Sequence, residues 1–447
     1  MGGTCPPDGT FTSARRPATR PARPAERHHD PRPHMTSCGI DFGTSNSTVG
    51  LATASGARLL ALEDGSPTLP SAVFWQTEGA PPLFGRTAIA AYLEGDDGRL
   101  MRGLKSTLGS GLINDKTAVG GRAVSFREVL TRFIGHLRAA QQSAANLDSV
   151  VLGRPVHFVD DDAQADATAE ATLAEIARAC GWRDVAFQYE PIAAALHYEQ
   201  TAPKEELVLI VDIGGGTSDV SVVRVGPGRA ALSDRSADIL ANDGIRAGGT
   251  DFDRLLSLAE AMPHLGYLAP TKGGGTMPRH YYLDLATWHR INALYTARTA
   301  SDLKALRLLA DDPQKIDRML RVVDGRHGHA LAMRVEAAKV ALSDTDTTRL
   351  PLSDLTGGPN PIVRRDGFEQ AVEAPIARIR ALLDRVLQGA GLTPNHIGTA
   401  FLTGGSSQLP ILRATVANLL PDATIATGDM LGSVGTGLAL EAQRRFG

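Results

Sequence analysis

The sequence predicts an α/β protein, and three observations carry that expectation. Short apolar runs ending in glycine or polar residues ("AVFW", "SVVLGRPVHFV", "ELVLIVDIGGG", "GTAFLTGG") alternate with Ala/Leu-rich stretches of helical spacing, the pattern of helices packed on largely central sheets. Two segments, "GIDFGTSNSTVGLA" and "IVDIGGGTSDVSVVRV", share one plan: an apolar strand, Asp, any residue, Gly, small hydroxyl residues, and a second strand. The chain has 447 residues, 43% of them hydrophobic and 21% charged, enough for a large core and two or three domains.

Residues 1–36 stand apart. "ARRPATRPARPAERHHDPRPH" mixes Pro, Arg and His with almost no large apolar residue. It cannot build a core, lacks the apolar segment of a secretory signal, and is too proline-rich for a transit helix. A disordered extension, or sequence upstream of a start at Met35, is expected, with a basic tail touching acidic partners as the alternative. From residue 37 the strands named above alternate with helices expected in "FREVLTRFIGHLRAAQQSAA", "DATAEATLAEIARACGW", "EAPIARIRALLDRVLQGAG" and "LPILRATVANLL". The stretch 261–330 fits the alternation less well and reads as an elaboration on one domain. Within it "KGGGT" reads as a flexible loop. A net charge of −3 offers nothing for nucleic acid or an anionic membrane. No apolar run approaches the roughly 20 residues of a membrane span. Cys5, Cys38 and Cys180 are few, odd in number and widely spaced, which points to a reducing cytosol without a disulfide framework or zinc site.

Each glycine–hydroxyl hairpin is, singly, an ordinary polar turn. Two with an aspartate at the same place suggest two related lobes facing across a cleft. Glycines let backbone N–H groups approach an anion, and Thr44, Ser45, Asn46 and Thr217 add side-chain donors. Asp41 and Asp212 would repel phosphate unless a cation lay between, and magnesium, held by one or two carboxylates plus phosphate oxygens, suits that place. A P-loop is absent, and "GGGTSD" is followed by strand-like sequence, unlike a Rossmann turn. Glu336, Lys339 and Ser343 share one helix face, a solvated one on the plainest reading. "FLTGGSSQLP" is a strand running into a turn before a helix near Pro410, either a common βα turn or a place for a flat ligand.

Taken together, "IDFGTSNS", "YEPIAAA", "VDIGGGTSDVS", "GGTDFD" and "LTGGSSQLP" resemble, in order and spacing, the nucleotide-binding half of DnaK-type heat-shock chaperones, members of the actin/sugar-kinase ATPase superfamily. "RGLKSTLGSGL", "VVLGRPVHF", "FQYEPIAAALHYE" and "GDMLGSVGTGLA" look like the YegD-like branch in particular. The resemblance covers about residues 37 to 445. It implies an actin-like ATPase fold with ATP and Mg2+ in the cleft: lobe I at 37–203, completed by 428–447, and lobe II at 204–427. Asp41 and Asp212 match aspartates that hold magnesium through water, Asp212 also orienting the attacking water. Gly43, Thr44, Ser45 and Asn46 match the first phosphate loop, and Gly214, Gly215, Gly216 and Thr217 the second. Lys105, otherwise a surface lysine, matches the lysine that meets the transferred phosphate. Glu190, otherwise a helix cap placed in extended chain before Pro191, matches the inter-lobe glutamate near the magnesium waters. Gly248, Gly249, Glu336, Lys339, Ser343, Gly404, Gly405, Ser406 and Asp429 match the adenosine pocket.

Two departures shape the expectation. Heat-shock chaperones carry arginines that sandwich adenine where this chain has Val340 and Gln408, so weaker affinity or looser base selectivity follows. Only 18 residues follow Asp429, so a stand-alone clamp on hydrophobic peptides is not expected. The expected function is slow Mg-dependent ATP hydrolysis whose nucleotide state sets lobe closure and affinity for a protein partner; the 261–330 elaboration is the candidate surface, although aromatic runs such as its "HYYLDLATWHRI" more often serve local core. The alternatives are a non-hydrolysing nucleotide-dependent scaffold and a small-molecule kinase.

Overall fold

The computed structural model describes residue 2 and residues 37–446, except 54–55, 78–79, 120–121, 146, 230–231, 233–234 and 429–431. The expectations for the N-terminal extension and for Asp429 therefore fall outside the described residues.

Two sheets organise the chain. The first contains β1 (Ser37–Phe42), β2 (Asn46–Thr53), β3 (Gly56–Leu59), β4 (Ser149–Arg154) and β5 (Asp184–Tyr189), in the order β5-β4-β1-β2-β3. The second contains β6 (Glu206–Ile213), β7 (Ser218–Val225), β8 (Ile239–Ile245), β9 (Thr399–Thr403) and β10 (Thr424–Thr427), in the order β10-β9-β6-β7-β8. The topologies coincide strand for strand. In each sheet the first strand pairs antiparallel with the hairpin partner that follows it and parallel with a later strand. The echo seen in two short motifs thus extends to a complete repeat of fold, and the architecture is the actin-like α/β arrangement.

The helices follow from sequence in a similar way. In the first half, α1 (Phe126–Ala144) and α2 (Ala163–Ala179) begin at Ser125 and Asp162, whose side chains accept the N–H groups of Glu128 and Ala165 at 3.1 and 2.9 Å. Helix α3 (Glu190–Glu199) starts at Glu190 itself, and the extended residue before it is Tyr189. The expectation of an extended Glu190 is corrected by one residue, because Pro191 is tolerated inside the first turn of a helix. Then come α4 (Gly249–Leu256), α5 (Gly328–Asp344), α6 (Glu373–Gly389), α7 (Pro410–Leu419) and α8 (Ser433–Phe446). Helix α2 bridges the parallel strands β4 and β5, and α7 bridges β9 and β10.

Helices α3 and α8 lie between the two sheets. Ile192, Ala193, Ala194, Val434 and Leu438 share one core with Val151 of β4, Val208 and Ile210 of β6, and Phe401 of β9. Small residues permit the approach: a Cβ on Gly437 would lie 1.7 Å from the Ala193 carbonyl oxygen, and one on Gly39 2.3 Å from the Ala439 nitrogen. This seam brings the N-terminal hairpins of the two sheets, β1–β2 and β6–β7, to the same cleft.

The 261–330 stretch folds as short helices, including His280–Leu285, Ala297–Leu309 and Pro313–Asp324, on the core of the second sheet. One expectation changes here. "KGGGT" is a hydrogen-bonded turn: Gly274, at φ 83°, donates to Thr271 O at 2.9 Å, and Lys272 N–H donates to Leu309 O at 2.9 Å. Tyr281 and Tyr282 are 9% and 1% exposed, in keeping with the local-core reading of these aromatics, and Trp288 is the partly exposed aromatic of "HYYLDLATWHRI". Among the described residues no helix is long and apolar enough to cross a membrane.

Candidate functional site

The β1–β2 hairpin turns through Gly43, Thr44 and Ser45, and the β6–β7 hairpin through residues 214–217. Asp41 sits opposite Thr48 in the first ladder and Asp212 opposite Asp219 in the second. The two turns touch. A Cβ on Gly215 would lie 2.2 Å from Ser45 Oγ, and one on Gly216 2.8 Å from Thr44 Oγ1. Glycine is required there because the opposite loop occupies the space a side chain would need.

Neighbouring segments hold both loops in place. Ser71 Oγ donates to Gly43 O at 2.6 Å, and its N–H donates to Ser45 O at 2.8 Å. On the other side, the N–H groups of Gly249 and Thr250 donate to Gly214 O and Gly215 O at 2.9 and 2.8 Å, and Ser406 Oγ donates to Gly214 O at 3.3 Å. Gly404 adopts φ 79°, and a Cβ there would meet Ile213 O at 2.4 Å. Lys339 of α5 is buried; its ammonium pairs with Asp253 at 2.8 Å and donates to Gly249 O at 3.3 Å. The solvated reading of this helix face therefore fails at Lys339, whose charge is answered by α4.

These segments enclose a cleft of about 450 Å³, within the usual range for a ligand site. Asp41, Gly43, Thr44, Ser45, Asn46, Lys105, Glu190, Asp212, Gly214, Gly215 and Thr217 line its deep end, with Gly249, Glu336, Lys339, Ser343, Gly404, Gly405 and Ser406 around the remainder. Val340 and Gln408 lie on the same wall, and Arg413 contacts Gln408 Oε1 at 3.5 Å. Two expected residues are not on this lining. Gly216 lines an adjoining chamber, and Gly248 packs behind the second loop, where a Cβ would lie 2.8 Å from the Gly215 backbone.

The deep end is electrostatically unbalanced. Lys105 lies on the turn Leu104–Thr107, and its ammonium is ion-paired with Glu190. Burial by itself would lower the lysine, but Glu190 and Asp41 raise it above its ordinary value. Burial, then the charge of Glu190, raises Asp41 to about 7, and the same two causes raise Asp219 to about 7. Asp212 is raised well above the usual carboxylate range by burial, with Glu190, Asp219 and Asp41 adding to it. Carboxylates crowded round one lysine are the donor set that a hard cation resolves. Among the described residues no group of three or more His, Cys, Asp or Glu is placed to ligate a metal directly.

Asp219, Asp253 and Ser71 were not singled out from sequence. Asp219 stands within the quoted "VDIGGGTSDVS", and its signal is the hairpin register that sets it opposite Asp212. Asp253 stands in "GGTDFD" one helical turn from Gly249. Ser71 has no local signal, because its role comes from the strand Leu69–Pro70 pairing with β2.

Comparison with known proteins agrees with this geometry. Residues 106–260 and 304–443 match the family described as Hsp70 protein. The chain belongs to the Hsp70 family. It is 26% identical over 434 residues to the chaperone protein HscA of Salmonella typhimurium, and 26% identical to those of Citrobacter koseri and Salmonella heidelberg. In each case the match covers 92% of this chain and 58% of the relative's length. The chain thus carries an Hsp70-type nucleotide-binding domain. The first segment of the Hsp70 match begins one residue after Lys105 and runs through the second loop and α4, while the second takes in α5, the Gly404–Ser406 turn and most of α8.

Proposed function

We propose that this chain is a magnesium-dependent ATP-binding protein of the YegD-like branch, with slow ATP hydrolysis and chaperone-like coupling of nucleotide state to partner binding. One observation carries the reading: Asp41 and Asp212 line the same end of one cleft, below two glycine–hydroxyl loops that touch. Thr44, Ser45, Asn46 and Thr217 with the backbone of 214–216 would take the phosphates, and Glu336, Lys339, Ser343 and the Gly404–Ser406 turn the nucleoside. Bound magnesium would offset the phosphate charge that Asp41, Asp212 and Glu190 otherwise oppose. Lys105, held by Glu190, would supply positive charge to the terminal phosphate, and Asp212 would orient the attacking water. Catalysis of this kind is mostly positioning and electrostatics.

On this reading the lobes divide near residues 203 and 428, a division the two separate sheets support, and closure between them would set affinity for a protein partner. A reducing cytosolic compartment suits the free thiols of Cys38 and Cys180. Calorimetry with ATP, with and without excess chelator, tests the core of this reading. Affinity is expected to fall when magnesium is removed, and equal affinity in the two conditions would overturn the clamp.

A further inference from the structure

A second chamber, of about 490 Å³, adjoins the cleft. Thr44, Ser45 and Glu336 belong to the walls of both. It is lined by Arg102 and Ser106, by Arg246, by Arg254 of α4 and by the segment around Trp288.

The charges on its walls are unevenly matched. Arg102 pairs with Glu336 at 3.1 Å and lies 4.2 Å over the Trp288 ring, which fixes that wall. Arg290 pairs with Asp284 at 2.6 Å, and Asp253 with Lys339 at 2.8 Å. Asp251 accepts the Gly248 N–H at 3.1 Å. Three of the four lining carboxylates are thus ion-paired with Arg102, Lys339 or Arg290, and the fourth, Asp251, keeps its charge within reach of the Arg254 and Arg246 fields without an ion pair to either. Arg246 and Arg254 are half-buried cations with no carboxylate within ion-pair distance of their guanidinium groups among the described residues. Among the described residues the Arg246 guanidinium donates to the Ser106 carbonyl, at 3.4 Å.

A planar guanidinium fork facing a concave, partly desolvated space is suited to phosphate or carboxylate. We propose that this chamber binds a small anionic molecule carrying phosphate or carboxylate groups, gripped by Arg246 and Arg254. Its coupling to the cleft, through Thr44, Ser45 and Glu336, rests on the nucleotide reading; its anion binding does not. Shared walls give the two sites a route for coupling, and any factor by which the anion changes nucleotide affinity is matched by the nucleotide's effect on the anion.

The test is calorimetric titration of the full chain with inorganic phosphate and, separately, with citrate, at constant ionic strength, nucleotide-free and again with Mg–ADP present. Trp288 fluorescence serves as a local reporter, since Trp75 and Trp182 are 7% and 1% exposed and line neither space. Saturable one-site binding is expected for at least one anion, and which one responds identifies phosphate or carboxylate as the recognised group. Arg246→Gln with Arg254→Gln should weaken it by about tenfold or more, as loss of charge-assisted hydrogen bonds implies. The single Arg254→Gln, at a partly exposed helix position, serves if the double variant does not fold. Lys105→Ala should keep the anion response. Absence of saturable binding in the wild type, an unchanged response in the arginine variants, or its loss in Lys105→Ala would each overturn the proposal. The last would mean that the anion sits on the phosphate loops. Failure of ATP to bind while the anion does would remove the nucleotide reading and leave this one standing.

Discussion

Single residues in the cleft are held by partners from distant parts of the chain. Lys105 is buried against Glu190, and Asp212 lies beside Asp219 and Asp41, so neither acts in isolation. Asp212→Asn removes one crowded negative charge without changing shape, and Lys105→Ala removes the single cation of that cluster. Both variants are expected to retain bound nucleotide. Hydrolysis should fall roughly 100- to 1000-fold, the usual loss for one positioned electrostatic group. Single-turnover assays on purified protein, alongside nucleotide affinity, check this; turnover that neither substitution slows would place the activity elsewhere.

Among the elements, α8 is the one whose packing is least forgiving. It crosses β1 and β2 on one side and α3 on the other, with Gly435 and Gly437 where larger residues would collide. Alanine ordinarily favours a helix over glycine by about 1 kcal/mol. At Gly437 that gain is outweighed, because the added Cβ would meet backbone that cannot rotate away. Overpacking of this kind costs about 1–3 kcal/mol. Gly437→Ala should therefore lower the urea midpoint, whereas Gly111→Ala, which meets nothing within 4 Å, should change it little. Equal effects from the two substitutions would refute the seam.

Across the whole molecule, His329 ties pH to stability. It is buried on α5, with Nε2 3.2 Å from Asn292 Nδ2, Trp288 stacked at 5.2 Å and Tyr92 edge-on at 5.5 Å. Burial, then the charges of Arg102 and Arg99, lowers it from 6.5 to about 3. Between those values the unfolded chain takes up a proton that the folded one refuses, so this histidine's contribution is present above pH 6.5 and is lost as pH falls towards 3. The slope is about 1.4 kcal/mol per pH unit, or about 2 kcal/mol by pH 5. Asp41 and Asp219, raised to about 7, work in the opposite sense over the same window. The difference between wild type and His329→Phe in denaturation at pH 7 and pH 5 therefore isolates the histidine. Wild type should lose more stability on acidification, and identical losses would sink the assignment.

Local pattern determined the fold class, the helices at 126–144, 163–179, 373–389 and 410–419, and the two hairpins with their aspartates. Period, capping residues and glycine–hydroxyl turns are properties of neighbouring residues, and so they are written in the chain directly. The two phosphate-loop hairpins were legible for the same reason, while Lys105, Glu190 and the residues around the rest of the cleft, read alone as a surface lysine, a helix cap, a solvated face and a common turn, were marked as site residues only by the family resemblance. Tertiary structure alone decided that Lys339 answers Asp253, that Gly248 packs behind a loop, that Tyr281 and Tyr282 are core, and that Arg246 and Arg254 face a second chamber. Each of these depends on which distant segment arrives opposite a given side chain. Burial and charge pairing are set by the folded neighbours, and no local pattern records them.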